Sequence, residues 1–336
     1  MLIVTGASGL LGSQILLNAA RKADMSLRGI YRNPKSLEIV KTSYIAQGAK
    51  DKFESIEWVQ ADLIDAFETE EAIKGATYII HCAAFVSLNT SDADSMLTVN
   101  PEISENVWSA AIKNKIIHGV HVSSISTFSY NPNEDYTNEK SETKPASLSP
   151  YGKSKWASEL IAWKYQAEGL SLSTVSPSVI IGCPAWENGT SLIPKKIKKG
   201  LSFYPSGETG WVDAQDVADF ILQIMPQRIS GEKYILNGHN GSFKEVFKDI
   251  ALEMNCKPAK WEIPYFLLKT VSLIEAAYSR FTLYKQRLSA DTIRASKVKR
   301  KYDAGKSLAT GFTYRPWRKT IITLAEQAKS ISIYTK

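Results

Sequence analysis

The sequence predicts an α/β fold, a doubly wound parallel sheet with helices on both faces, followed by a smaller unit that is mostly helical. Two observations predict it. From residue 2 to residue 182 short apolar runs alternate with stretches of helical periodicity, the pattern of repeated strand–helix–strand units. Beyond 182 the rhythm loosens: Pro184, Gly189, Pro194, Gly200, Pro205, Gly207 and Gly210 punctuate the segment before Trp211, and 243–336 reads as mostly helical. The first unit is expected to take 1–182 with 211–240, and the second 183–210 with 241–336.

The elements follow in order. "LIVT" (2–5) is a short apolar strand, and "GASGLLG" leads into the helical run "SQILLNAARKA". "SLRGIYR" (26–32), "SIEWVQADL" (55–63) and "ATYIIHCAA" (76–84) read as the next three strands. A helix is expected over 95–115 and a fifth strand in "GVHVSSIST" (119–127). "SPYGKSKWASEL" (149–160) opens a helix, with Ser149 as cap and Pro150 in the first turn. "LSLSTVSPSVIIG" (170–182) reads as a sixth strand, "WVDAQDVADFILQIM" (211–225) as helix and "EKYILNG" (232–238) as strand. The tail helices are "FKEVFKDIALEM", "YFLLKTVSLIEAAYSRF" and "WRKTIITLAEQAKS". Crossovers in such a sheet are right-handed, and its ligand site lies beyond the carboxyl ends of the strands. "GASG", "ADL", "HCAA" and "SSIS" all fall at those ends, so they are expected along one edge.

Composition narrows the class. The chain has 336 residues, 44% apolar and 22% charged, ordinary for a globular protein. No apolar run is long enough to span a bilayer. The chain enters "MLIVTGASG" directly as strand and turn, so no secretory leader is expected. Cys82, Cys183 and Cys256 are odd in number and far apart, which suggests neither a disulfide framework nor a metal site and points to a reducing, cytoplasmic setting. The net charge is +7, part of it in "KKIKK" (195–199) and "KVKRK" (297–301). No nucleic-acid motif accompanies that charge, so both runs are read as solvated segments, with no nucleic-acid partner and no stable membrane association. The aromatic-rich stretch 263–284 is read as core of the second unit rather than as a lipid-touching helix. His81, His118, His121 and His239 lack metal-ligand spacing and are read as structural.

Gly6, Gly9 and Gly12 stand between a strand and a helix. The first allows a tight turn, the second lets backbone approach a pyrophosphate, and the third lets helix pack on strand. The helix N-terminus adds free N–H groups and partial positive charge. Ser8, Leu10 and Leu11 share this turn and are assigned to a dinucleotide with it. Strand two ends in "IYRNPKS" without an acid for a ribose hydroxyl. Arg32 stands where a 2′-phosphate needs a cation, with Lys35 near it, so NADP is expected over NAD. Asp62, followed by Leu63, ends strand three. Its carboxylate is suited to an adenine amine, or to capping the next helix.

Tyr151 and Lys155 are four residues apart on one helix, hence on one face. A free tyrosine titrates near pKa ~10, and a neighbouring ammonium favours its phenolate. Reduction of a carbonyl needs a proton donor at oxygen, a task suited to Tyr151, while Lys155 can also donate to ribose hydroxyls. A second donor is offered by Ser123, Ser124, Ser126 or Thr127.

Together these residues resemble the extended short-chain dehydrogenase/reductase family, over nearly the whole chain. The resemblance is carried by "TGASGLLG", "ADL", "HCAA", "VNPEISENV", "SSIST", "YGKSK", "WVDAQDVAD" and "YDAGKSLATGFTYRP". It implies a Rossmann-like domain of about seven parallel strands, a smaller substrate domain and a homodimer. It selects Ser124, four residues before Phe128, as the catalytic hydroxyl, with Tyr151 as acid/base and Lys155 as its electrostatic partner. It also implies Ala83 and Asn100 near the cofactor, and Pro177 and Ser178 bordering the nicotinamide. Dehydratases of the family carry an Asp–Glu pair after that hydroxyl, where this chain has Ile125 and Ser126. Nucleotide-sugar epimerases carry arginines that "TVSPSVIIG" and "TGWVDAQDVA" lack. Both departures resemble the dihydroflavonol-reductase-like and cinnamoyl-CoA-reductase-like branch, which implies NADP-linked reduction of a ketone or aldehyde. The alternatives are an epimerase with tightly held NAD and a non-enzymatic dinucleotide sensor.

Overall fold

The computed structural model describes residues 1–22, 25–87, 90–183, 189–264, 266, 270 and 297–334. Seven strands form the central sheet: β1 (Leu2–Thr5), β2 (Leu27–Tyr31), β3 (Glu57–Gln60), β4 (Tyr78–His81), β5 (His118–Val122), β6 (Leu172–Pro177) and β10 (Lys233–Leu236). Their order is β3-β2-β1-β4-β5-β6-β10 and every pairing is parallel. The order reverses between β1 and β4, which opens the crevice where such sheets take ligands. The expected Rossmann-like sheet is therefore present, with strands of four to six residues, most of them shorter than the apolar runs that suggested them.

Alternate residues of each strand face opposite layers. Helices α1 (Leu10–Lys22), α2 (Pro34–Ala46) and α8 (Ala214–Ile224) cover one face, packed on Val4, Ile80, Val120 and Val175. Helices α4 (Ala66–Ile73), α5 (Ala93–Lys113) and α6 (Pro150–Ala167) cover the other, with Trp108 of α5 fully buried. The short α3 (Lys50–Glu54) leads into β3. Side chains fix where these helices begin: Asn33 caps α2, Asp65 caps α4 and Ser149 caps α6.

A second core lies under the C-terminal part of the chain. It joins β7 (Val179–Ile181), α7 (Leu192–Lys198), β8 (Phe203–Tyr204), β9 (Glu208–Asp213), α9 (Phe243–Glu253) and α11 (Trp317–Tyr334) around Trp211, Val246, Ile250 and Leu324. A three-stranded sheet, β11-β9-β7, includes β11 (His239–Ser242), and β8 pairs with β12 (Trp261–Glu262). One turn of helix, α10 (Gly305–Leu308), precedes α11. The two C-terminal motifs meet here: the Arg315 guanidinium pairs with Asp216, lies 2.8 Å from Asp219 Oδ2, and the Arg315 N–H donates to Asp216 at 3.0 Å.

Three expectations change. The run 170–182 is two strands, because the chain leaves the main sheet after Pro177 and enters the three-stranded one at Val179. Within 211–225, Trp211–Asp213 end strand β9, and the helix starts only at Ala214, where Asp213 accepts from the Gln215 N–H. In 119–127 the strand stops at Val122 and Ile125–Thr127 form a 3₁₀ turn capped by Ser124. Of the expected helix at 265–281 only Phe266 and Thr270 are among the described residues, both helical, with Thr270 Oγ1 donating to Phe266 O at 2.8 Å; the rest of it, and the reading of 263–284 as core, lie outside them. No helix among the described residues is long and apolar enough to cross a membrane, and they contain no cluster of three metal-ligating side chains.

Candidate active site

The glycine turn is built as its spacing requires. Gly6 has φ +63°, and a Cβ there would stand 2.7 Å from Ala83 Cα. A Cβ on Gly12 would stand 2.4 Å from Gly6 O. Glycine thus lets α1 begin directly on β1 and lets the turn touch the end of β4. Ser13 makes the first helical bond, to Gly9 O at 3.0 Å. The N–H groups of Leu10, Leu11 and Gly12 precede it, so they are free donors at the positive end of the helix. This bare backbone cradle, at the sheet's crossover point, fits a pyrophosphate, so the residues present fit a dinucleotide.

The edge beside it carries the other expected residues. Ala83 is held by its N–H, which donates to Thr5 Oγ1 at 3.2 Å. Asn100 is buried and engaged on both sides: its amide donates to Phe85 O and Ser154 Oγ, each at 3.0 Å, and accepts from the Phe85 N–H at 2.6 Å. Its visible work is to tie the loop after β4 to α6. Asp62 accepts from the Ile64 N–H at 3.2 Å, and its own N–H donates to Glu68. The cap of α4 is Asp65 instead. Leu63 is buried beneath. Arg32 and Lys35 are exposed just beyond β2. Pro177 ends β6, and the Ser178 N–H donates to Leu236 O at 2.9 Å, while its buried Oγ has no hydrogen-bond partner in the protein.

Ser124 and Tyr151 meet. Helix α6 starts against the 3₁₀ turn, so closely that a Cβ on Gly152 would stand 2.4 Å from Ser126 O. That approach explains a glycine directly after the tyrosine. The Ser124 hydroxyl donates to Ser126 Oγ at 3.2 Å and lies close enough to the Tyr151 phenol to act on its titration. Burial pushes the phenol's pKa above its ordinary value, and the Ser124 hydroxyl pulls it back in part. Ser124 Oγ also accepts from the Ser126 N–H at 3.1 Å. The competing hydroxyls are otherwise engaged: Ser123 donates to Glu159 at 2.5 Å and Thr127 donates to Ser124 O at 2.8 Å.

Lys155 sits one turn along α6, buried, with its ammonium donating to Val122 O at 2.7 Å. Burial brings its pKa down to about 8, against the opposing pull of Cys82 and Glu159. Cys82 adjoins Ala83, so Lys155 lies near the end of β4 that touches the glycine turn. The phenol, however, takes its shift from burial and Ser124; Lys155 acts chiefly on β4 and β5.

Sequence reasoning missed several supporting residues. Arg300, in the run read as solvated, donates to Phe128 O at 3.0 Å, to Ser129 O and to Thr137 Oγ1 at 2.9 Å. It pins the backbone following Ser124. Glu159 is buried and takes Lys233 at 2.7 Å, Ser123 at 2.5 Å and Trp163 Nε1 at 3.2 Å. The one available signal was Glu159's place four residues after Lys155, on the same helix face.

Comparison with known proteins agrees with this architecture. The profile of the NAD dependent epimerase/dehydratase family matches residues 2–237. Sterol demethylase protein B of Methylococcus capsulatus is 25% identical over 316 residues, 91% of this chain and 90% of that protein. The bifunctional dihydroflavonol 4-reductase/flavanone 4-reductase of Malus domestica is 24% identical over 263 residues, 73% of this chain and 74% of that protein. The crystal structure of Thermus thermophilus UDP-glucose 4-epimerase with NAD shares the fold, at TM-score 0.73 and 17% identity over 98% of both chains.

Proposed function

The chain belongs to the NAD dependent epimerase/dehydratase family, and from that premise we propose that it is an NADP-dependent reductase of a ketone or aldehyde. The observation that carries the reading is the meeting of Ser124 and Tyr151 where α6 starts against the 3₁₀ turn, with Ser124 followed in sequence by Ile125 and Ser126 and not by carboxylates. Elimination needs a base beside the substrate, and Glu159, the buried carboxylate nearest in sequence to the pair's helix face, is occupied by Ser123 and Lys233.

Gly6, Ser8, Gly9, Leu10, Leu11 and Gly12 hold the pyrophosphate, Asp62 and Leu63 border the adenine, and Arg32 meets the 2′-phosphate. Ala83, Asn100, Pro177 and Ser178 line the inner half of the dinucleotide site. When bound, the dinucleotide supplies the hydride. Ser124 donates to the substrate carbonyl oxygen and fixes it beside Tyr151. Tyr151 delivers the phenolic proton to that oxygen; with its pKa held above the ordinary value it is protonated throughout the neutral range. Lys155 donates to the ribose and contributes positive charge, which it loses as pH rises through about 8. Reductase relatives such as the apple enzyme support the choice of reaction.

An NADPH-consumption screen over aldehydes, ketones and nucleotide sugars tests this reading. Net oxidation of NADPH by a carbonyl compound is expected. Protein purified with stoichiometric bound NAD, turning over nucleotide sugars without net NADPH loss, is the epimerase outcome and contradicts it. Arg32→Ala is expected to weaken NADPH binding while leaving NADH unchanged; equal affinity for NADPH before and after removes the 2′-phosphate assignment.

A further inference from the structure

Two consecutive residues at the end of β5 are each held by a residue of α6, and the next, Ser124, lies beside Tyr151 at the start of that helix. Val122 O accepts from Lys155 Nζ at 2.7 Å and Ser123 Oγ donates to Glu159 Oε2 at 2.5 Å, while Gly152 packs so tightly on the turn that a Cβ there would stand 2.4 Å from Ser126 O. Tyr151, Lys155 and Glu159 succeed one another by four residues, so the strand end is laid along a single helix face. The outermost rung is anchored on a third element. Glu159 Oε1 lies 2.7 Å from Lys233 Nζ of β10, and Lys233 in turn lies 4.1 Å over the Phe128 ring. The Glu159 and Lys233 side chains are only 7% and 17% exposed, so this charge pair is shielded from solvent.

We propose that Glu159 is a positioning residue: with Ser123 and Lys233 it locks α6 to β5 and β10, sets the register that brings Tyr151 beside Ser124, and seats the Lys155 ammonium on Val122 O. No contact in this network needs a substrate, yet every rung bears on the residues assigned to the reaction. The groups facing Lys155 are Cys82 and His81 of β4 and its neighbour, His121 of β5 and Glu159 of its own helix. Glu159 is the carboxylate among them, and its charge raises the Lys155 pKa against burial. Lys233 bears on His121 from β10.

The inference rests on the proposed roles of Ser124, Tyr151 and Lys155, and its test is separable from them. Carbon-13 labelling of lysine Cε lets the Lys155 titration be followed by NMR without substrate, its signal identified by loss in Lys155→Met. In the unaltered protein the midpoint is expected near 8. In Glu159→Gln it falls below that of the unaltered protein. In steady-state assays the same variant loses about tenfold or more in kcat with NADPH affinity retained, and the alkaline limb of its pH profile moves down with the NMR midpoint. Should Glu159→Gln fold poorly because Lys233 is left buried and unpaired, Glu159→Gln/Lys233→Met carries the same expectation with no stranded charge. A Lys155 midpoint unmoved in the folded variant overturns the proposal. A moved midpoint in a protein that never oxidises NADPH instead overturns the reductase reading and leaves the positioning intact.

Discussion

The two faces of the central sheet are made by alternate residues of the same strands, yet at the carboxyl ends of the strands they differ in chemistry. Toward α1 and α8 the strands present Val4, Ile80, Val120, Val122, Val175 and Leu236, with His118 and Ser173 as a buried pair 3.2 Å apart. Toward α5 and α6 the amino halves present Ile3, Ile79 and Leu172, and the carboxyl halves present Thr5, His81, His121, Thr174, Ser176 and Lys233, all but Lys233 fully or almost fully buried. The first face is continuous core. On the polar face His81 bridges Thr5 and Ser104 at 2.7 and 3.1 Å, whereas both ring nitrogens of His121, Thr174 Oγ1 and Ser176 Oγ lack protein partners. Buried polar groups without partners cost stability. One layer therefore supplies the stability that lets the other hold Lys155, Glu159 and Tyr151 in a poorly solvated setting.

The contrast can be broken most strongly with acid. Burial lowers the His81 pKa to about 3 and holds His121 well below its ordinary value. The unfolded chain takes up these protons near pH ~6.5 and the folded chain does not, so stability is complete above that pH and falls as pH drops below it. His118, brought down to about 4 by burial, behaves the same way, and by pH 5 the three rings together are expected to remove about 6 kcal/mol, at about 1.4 kcal/mol per unit each. Asp216, raised to about 6, works in the opposite direction over the lower part of this range. Urea unfolding at pH 7 and pH 5 measures the loss, and His121→Leu should recover roughly a third of it. An unchanged pH dependence in that variant means that the ring is not the neutral, buried group described here.

A core deletion on the other face comes next. Leu236→Ala should cost about 3 kcal/mol by urea unfolding, with no change in acid sensitivity. A steeper pH dependence in that variant would mean that the two faces are not energetically separate. The smallest effect is expected from Thr174→Val, which removes an unpartnered hydroxyl at nearly constant shape. Its stability should change by less than about 1 kcal/mol, and toward greater stability. A loss of 2 kcal/mol or more would show that the hydroxyl has a stabilising partner.

Much of the scaffold was legible because its signals are local. A glycine triplet directly after four apolar residues defines the β1–α1 turn. Tyr151 and Lys155 declare a shared helix face, and Phe128 singles out Ser124 through the family resemblance. What escaped depends on contacts distant in sequence. Val122 and Ser123 are consecutive, yet they pair with Lys155 and Glu159, four apart on a helix more than thirty positions later, in an order no periodicity encodes. Arg300 looked like one cation in a solvated run because its acceptors, the carbonyls of Phe128 and Ser129, lie 172 and 171 residues away. Trp211–Asp213 read as helix because three strand residues are too few to show alternation beside the strong helical pattern that follows. The break after Pro177 was hidden because apolar residues continue through it into a different sheet.

The central claim is that the polar face presents Tyr151 as a proton donor to a carbonyl held by Ser124. The most direct test is Tyr151→Phe, assayed in parallel for NADPH binding and for NADPH oxidation with an accepted carbonyl substrate. Binding should be unchanged while turnover falls by about 10²–10⁴-fold. Turnover equal to that of the unaltered protein would show that the proton comes from another group and that the chemistry does not run through this pair.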